Sequence, residues 1–362
     1  MSFDCDVAVV GAGPAGAAAA IALAPSLDVV LLDRMGKPED RIGETLPGAA
    51  RRLLETLGAW QRFATAGHSP CFARRSVWGG PEPVELDGLS DPAGPGWRLD
   101  RRRFEADLRA QAQARGARLK VGGQVDRAER EGDGWRLALA GGETLTAGAL
   151  IDAGGRASRL LRAEAGRRSA EDKLICAWTH LPLEREPAEI TYTESAPEGW
   201  WYSAPLPGRR RLLAFHTDSD LASAQSLTPE ALVERALRSD TLRAEIADSG
   251  GPTPGPARLC AAHGARLARP VGDGWLAVGD SAFAFDPLSS QGLFNALYTG
   301  LTGGRAMAAG LAGDESAALT YALRLRTIWE AYEHHRRLFY SEERRWPDSP
   351  FWMRRTNNAA ND

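Results

Sequence analysis

The stretch "DCDVAVVGAGPAGAAAAIALA" near the amino end restricts the fold more than any other part of the chain. Ala8 to Val10 form the core of a buried strand, and Pro14 to Ala24 has the alanine-rich composition of a helix, so the glycines fall on a strand-to-helix turn. Gly11 permits the tight turn, Gly13 lets a pyrophosphate approach the backbone, and Gly16 lets the helix lie close to the strand. The amino end of that helix then faces the phosphates, with Ala12, Pro14 and Ala15 beside them. A second apolar run, "DVVLLDR", ends in Asp33 and Arg34. Asp33 stands 17 residues beyond Gly16, placed to accept hydrogen bonds from a ribose. Strand, turn, helix, second strand and terminal acid in register predict a Rossmann-like α/β domain that binds a dinucleotide.

A chain of 362 residues has room for a second domain beside this one. Its net charge of −3 does not suggest a nucleic-acid partner. Cys5, Cys71, Cys176 and Cys260 are far apart and show no CxxC spacing, so neither a metal site nor a disulfide framework is indicated and a reducing cytoplasm fits. No uninterrupted apolar stretch of about 18 residues occurs, so no signal peptide or membrane span is expected. His180, His216 and His263 have no readable partner in the sequence and are assigned core or surface roles.

Whether the dinucleotide is NAD or FAD is decided further on, by "DGWLAVGDSAFAFDPLSSQG". Trp275 to Val278 read as another buried strand ending in Gly279 and Asp280, and a long helix begins near Gly292. An aspartate at such a strand end can bind ribityl hydroxyls, and the helix amino end can stabilise negative charge on a reduced flavin. Nicotinamide cofactors have no ribityl chain, so FAD is the expected cofactor.

The glycine turn at residue 11, the "GD" strand near residue 280 and the proline-containing loop after it resemble the FAD-dependent monooxygenases of the hydroxylase and tryptophan-halogenase-like group. The resemblance implies a discontinuous FAD-binding domain of the glutathione reductase and p-hydroxybenzoate hydroxylase type, over residues 1–70, 97–172 and 262–312. An inserted antiparallel β-sheet over 71–96 and 173–261 would bind substrate, and 313–362 would form a carboxy-terminal helix and aromatic tail. It implies that Asp280 holds the ribityl chain and that the loop from Asp286 through Pro287 to Gly292 and Leu293 borders the isoalloxazine ring. In "RIGETLPGAARRLLETLGAW", Glu44 and Thr45 would lie near the ring, with Pro47 starting a helix. Arg101 would contact the cofactor from an amphipathic helix, and Val125 would pass the adenine. Glu44 and Asp286 are the candidate acid or base.

Two departures from the group narrow the reaction. Asp152, Ala153, Gly154 and Gly155 replace the Gly-Ala-Asp-Gly run associated with NAD(P)H, which points to a separate flavin reductase or other electron donor. The lysine and glutamate that serve the halogenases are missing: Lys37, Lys120 and Lys173 are the only lysines, and Ser289 stands where the glutamate would be. Oxygenation of an electron-rich ring needs positioning and water exclusion more than a protein nucleophile, so an aromatic monooxygenase is expected.

From about Ile175 to Cys260 the pattern turns to alternating strands, with Trp178, Trp200, Trp201, Tyr202 and Phe215 expected as one aromatic face over the flavin. Trp200 and Tyr202 are the candidate substrate contacts. "SLTPEALVERALRSDTLRAEI" reads as one helix capped by Thr228. A further helix from about Glu315 to Arg345, ended by Pro347, leads to Trp346, Phe351 and Trp352, which either pack back on the body or present a docking surface. Together, "GETLP", "GWWYSAPLP", "DPLSSQG" and "RWPDSPFW" resemble the flavoproteins that mature tryptophan-derived quinone cofactors. That implies a post-translational hydroxylation of a tryptophan in a partner protein or peptide. A small-molecule aromatic hydroxylase, a prenyl-chain reductase and a non-catalytic flavin-binding chaperone are the alternatives.

Overall fold

The computed structural model describes residues 3–88, 91–185, 189–247 and 254–356. The end of the predicted tail, 357–362, lies outside the described residues. The strand Cys5–Val10 is central in an eight-stranded sheet, flanked in parallel by Val29–Asp33 and Thr144–Asp152. Arg118–Val121 and Trp275–Ala277 extend the parallel part on either side. Alternation divides the strand residues between two cores, as the period of two demands. Val7, Val9, Leu31 and Ile151 face one cluster with the helices, while Ala8, Val30, Leu32 and Leu150 face another completed by Trp135 and Leu137 of an antiparallel hairpin. Both faces are thus covered, which is why these strands read as continuous apolar runs.

The helix Pro14–Leu23 lies between this sheet and the helix Gly292–Leu311. Its residues Ala15 to Ala20 are all buried, and a Cβ on Gly300 would come within 2.2 Å of the Ala15 carbonyl oxygen. Small residues on both helices allow that approach.

A second sheet has seven strands in the order Arg258–Ala261, Leu174–Pro182, Arg210–Asp218, Gly199–Leu206, Ile190–Ala196, Ala73–Val77 and Val84–Asp87. Neighbouring strands run antiparallel except Ile190–Ala196 and Ala73–Val77, which are parallel. Trp201 and Phe215 pack beneath Leu232 and Val233, whereas Trp178, Trp200 and Tyr202 belong to the opposite side. The five aromatics expected on one face are therefore divided between two. Trp200 and Trp201 are adjacent in one strand, and adjacent strand residues point opposite ways.

The helix expected over the "SLTPEALVERALRSDTLRAEI" segment is two, Pro229–Ala236 and Asp240–Glu245. Thr228 caps the first, and Ser239 breaks the run by capping the second through its hydroxyl to the Leu242 amide at 3.1 Å. The helix expected to start at Pro47 begins at Ala50. The long helix Ala317–Glu342 is followed by a short one, Pro350–Thr356. Phe351 and Trp352 are buried against Tyr340, Trp78 and Trp200, and the Trp352 indole N–H donates to the Ala196 carbonyl at 2.9 Å. Those two aromatics close a core and present no docking surface. The neighbouring Arg355 is likewise turned inward, onto the buried Asp218 at 2.6 Å.

Candidate active site

A cavity of about 1870 Å³ runs from the first strand-to-helix turn to the inner face of the seven-stranded sheet. Ligand pockets typically measure about 300–1,000 Å³, so a dinucleotide and a further molecule can share it.

At one end, Gly11 adopts φ +106°, and a Cβ there would lie 2.4 Å from the Ala153 carbonyl oxygen. A Cβ on Gly16 would strike the Gly11 oxygen, whereas one on Gly13 would meet no protein atom. The turn is thus closed towards the protein and open towards the cavity, which Gly11, Gly13, Pro14 and Ala15 line. The helix start at Gly13 has no side-chain cap, so its amides are available to an anion. Asp33 and Arg34 also line the cavity. Asp33 Oδ2 accepts from the Ala12 amide at 2.8 Å and from Arg109 at 3.0 Å, and its Oδ1 accepts from the Met35 amide at 2.7 Å. Asp33 therefore shapes the turn and, since a carboxylate has about four acceptor sites, keeps acceptor capacity towards the cavity it lines.

Sequence reasoning overlooked Arg109, which is buried and bridges the Ala12 carbonyl, the Met35 carbonyl and Asp33. It also gave no role to Asp152 beyond its place in the run. The Asp152 carboxylate accepts from the Gly154 amide and the Ser158 and Ser281 hydroxyls, and Ser281 in turn accepts from the Gly155 amide at 2.8 Å. That network joins the Asp152–Gly155 run to the Gly279–Asp280 run. Gly279, at φ +58°, donates to Thr299 at 2.8 Å and leaves no room for a Cβ beside Ala15. Asp280 follows it into the cavity, its carboxylate 3.7 Å from Arg156. Val125 lines the same end.

In the middle of the cavity stand Glu44, Arg101, Asp286, Pro287, Gly292 and Leu293. Glu44 is 3% exposed, and burial pushes its carboxyl up to about 7 against the pull of the Arg101 guanidinium. Arg101 donates to the Ile42 and Gly43 carbonyls at 3.0 and 2.6 Å and to Glu105 at 2.5 Å. It thereby holds the loop that carries Glu44. Asp286 is fully buried; its Oδ1 accepts from the Leu288 amide at 2.9 Å and its Oδ2 from the Tyr340 hydroxyl at 2.8 Å. Burial raises its carboxyl too. The Ser289 hydroxyl is turned back to the Asp286 carbonyl at 2.9 Å, and its neighbour Ser290 lines the cavity.

The far wall is formed by Trp178, Trp200, Tyr202 and His216, with Cys176 and Cys260. Tyr202 and Thr45 share a hydrogen bond of 2.8 Å, which pins the sheet to the "GETLP" segment. Trp200 lies parallel to the His216 ring at a centroid distance of 3.6 Å. Burial lowers the His216 imidazole to about 3, so it is neutral near pH 7. The sequence offered no signal for His216 because its partner is set by strand register, not by spacing. Among the described residues, no lysine lines the cavity, and no helix is long and apolar enough to cross a membrane.

An open glycine turn, an uncapped helix start, an acid aimed inward at a strand end and a cavity of this size all fit FAD. A family model described as FAD binding domain matches residues 4–335. The FAD-dependent oxidoreductase LodB of Marinomonas mediterranea is 28% identical over 97% of this chain and 96% of its own. A menaquinone reductase of Mycolicibacterium smegmatis is 29% identical over 88% of this chain and 80% of its own. Among solved structures, the myxobacterial chondrochloren halogenase CndH superposes with a TM-score of 0.88 at 24% identity, covering 99% of this chain and 88% of that one. The peptidyl tryptophan dihydroxylase QhpG gives 0.79 at 25% identity, covering 97% and 78%.

Proposed function

The chain belongs to the FAD-binding-domain family as a halogenase-like flavin-dependent oxidoreductase, and from that premise we propose that it hydroxylates an aromatic ring, the indole of a tryptophan in a partner polypeptide. The observation that carries this reading is that Trp178, Trp200, Tyr202, His216 and the buried Glu44 line one cavity. Bound and reduced, FAD supplies activated dioxygen. Gly11, Gly13 and Asp33 would hold its adenosine side, Asp280 its ribityl chain, and the Asp286–Leu293 segment its ring. The aromatic wall would orient a planar substrate by stacking and exclude water. Glu44, poised at about 7, would accept or return a proton at its carboxylate oxygen near neutral pH. Asp286, engaged by Leu288 and Tyr340, fits a role in fixing the ring loop better than one in proton transfer.

A tryptophan within a polypeptide is favoured over a free aromatic because QhpG, similar over 97% of this chain, is named for peptidyl tryptophan. Halogenation is disfavoured by the lack of a lining lysine. A prenyl chain would call for an apolar tunnel, whereas Glu44, His216 and Arg258 line this cavity. The test is incubation of the reduced holoenzyme, together with an electron donor and labelled dioxygen, with a tryptophan-bearing polypeptide and, separately, with free small aromatics. Mass spectrometry should find label on the tryptophan; label confined to free small aromatics, or none on either, overturns the reading.

A further inference from the structure

Four side chains form one row across the inner face of the seven-stranded sheet. Cys260 is directly opposite Cys176, Cys176 opposite His216, and His216 opposite Trp200. All four line the cavity. The two cysteines are 84 residues apart in sequence, and register alone brings them together. Opposed residues of an antiparallel pair have Cα atoms about 4.5–5.5 Å apart, within the roughly 4.4–6.8 Å that a disulfide spans.

We propose that Cys176 and Cys260 are a peroxide-reactive dithiol that closes to a cross-strand disulfide. Hydrogen peroxide forms when dioxygen takes up two electrons and two protons without oxygenating a substrate, so a flavin monooxygenase cavity is where it is released. Cys260 attacks one peroxide oxygen; the O–O bond breaks, a sulfenic acid forms, and the other oxygen leaves as water. Cys176 attacks that sulfur; the S–S bond forms, the S–O bond breaks, and a second water leaves. Two thiols lose two hydrogen atoms, and both peroxide oxygens are reduced to water.

The order of attack follows from the surroundings. Cys260 is half-buried, and the adjacent Cys176 thiol and the Arg156 guanidinium both lower its thiol from the ordinary value, so its thiolate is favoured. Cys176 is fully buried, which holds its own thiol well above the ordinary value and suits it to resolve, not to attack first. Cys5 and Cys71 lack this arrangement: Cys71 contacts the Thr191 hydroxyl at 3.3 Å and Cys5 the Thr146 carbonyl at 3.8 Å. The reaction needs only peroxide and the two thiols, so it stands independently of the substrate proposed above.

The test treats the folded wild-type holoenzyme with hydrogen peroxide, unfolds it in an alkylating reagent and maps the peptides by mass spectrometry. The expected product is a peptide pair linked through Cys176 and Cys260 that dithiothreitol separates, with Cys5 and Cys71 recovered alkylated. In Cys176→Ser the link should vanish and Cys260 should be trapped by a sulfenic-acid reagent. Recovery of Cys176 and Cys260 as free thiols, or each as an unlinked sulfinic acid, overturns the proposal.

Discussion

The Tyr340 hydroxyl donates to Asp286 Oδ2 at 2.8 Å while accepting from the Trp200 indole N–H at 3.2 Å. One buried phenol thus ties the carboxy-terminal helix to the loop after the "GD" strand and to the inner face of the second sheet. Tyr340→Phe removes the hydroxyl, leaving a fully buried carboxylate oxygen without its donor and an indole N–H without its acceptor. An unsatisfied buried polar group costs about 1–3 kcal/mol. The variant should lower the unfolding free energy by that amount, read as a lower urea midpoint at unchanged slope; an unaltered midpoint would show that the bond contributes nothing.

Glu44 carries the clearest pH dependence. Its folded value of about 7 lies above the ordinary 4.5, so ionising it disfavours the fold. Its contribution to stability is full below about pH 4.5 and is lost as pH rises through about 7. Glu44→Gln keeps the shape and cannot ionise, so between those limits it should gain on the order of 3 kcal/mol relative to wild type. Denaturant unfolding of both proteins across that range reads the difference directly. Parallel stability curves would mean that the carboxyl is not desolvated as the geometry implies.

The glycine turn and the acid at one end of this cavity were legible in the sequence because local chemistry specifies them: a turn needing glycine at Gly11 and an acid ending a strand at Asp33 are readable from neighbours alone. Arg109 was not, since its helix shows only that one face is buried; its three partners at Ala12, Asp33 and Met35 become neighbours through the fold. The second sheet tells the same story. Its strands were visible in their alternation, yet the division of Trp200 from Trp201 and the pairing of Cys176 with Cys260 depend on which strands lie side by side. The tail was ambiguous for a related reason. An aromatic run near a chain end suits a core or a partner equally, and only the gap between the sheet and the long helix decides that Phe351 and Trp352 fill the former.

Asp280 projects from the strand end into the cavity, and Arg156, at 3.7 Å, is too distant to hold it tightly. Its carboxylate is therefore free to accept from ribityl hydroxyls. Asp280→Ala should weaken FAD binding about tenfold or more, since a hydrogen bond to a charged group contributes roughly 1.5–3 kcal/mol. The flavin absorbance retained after gel filtration measures this; full retention removes the role assigned to Asp280.

Gly13 and Gly16 separate cofactor binding from folding within a single turn. A Cβ on Gly13 meets no protein atom, so Gly13→Ala should leave the stability of the flavin-free protein nearly unchanged. The methyl group would instead occupy the space through which a pyrophosphate approaches the helix start, and FAD affinity should fall. A Cβ on Gly16 would stand 1.8 Å from the Gly11 carbonyl oxygen, so Gly16→Ala must push the helix off the strand. That variant should lose stability before cofactor is considered, by about 1–3 kcal/mol as overpacked cores do. Unfolding curves of the flavin-free proteins and flavin titrations of the folded ones distinguish the two effects. If Gly13→Ala binds FAD as wild type does, the pyrophosphate does not pass this turn, and the reading of the first motif fails where it began.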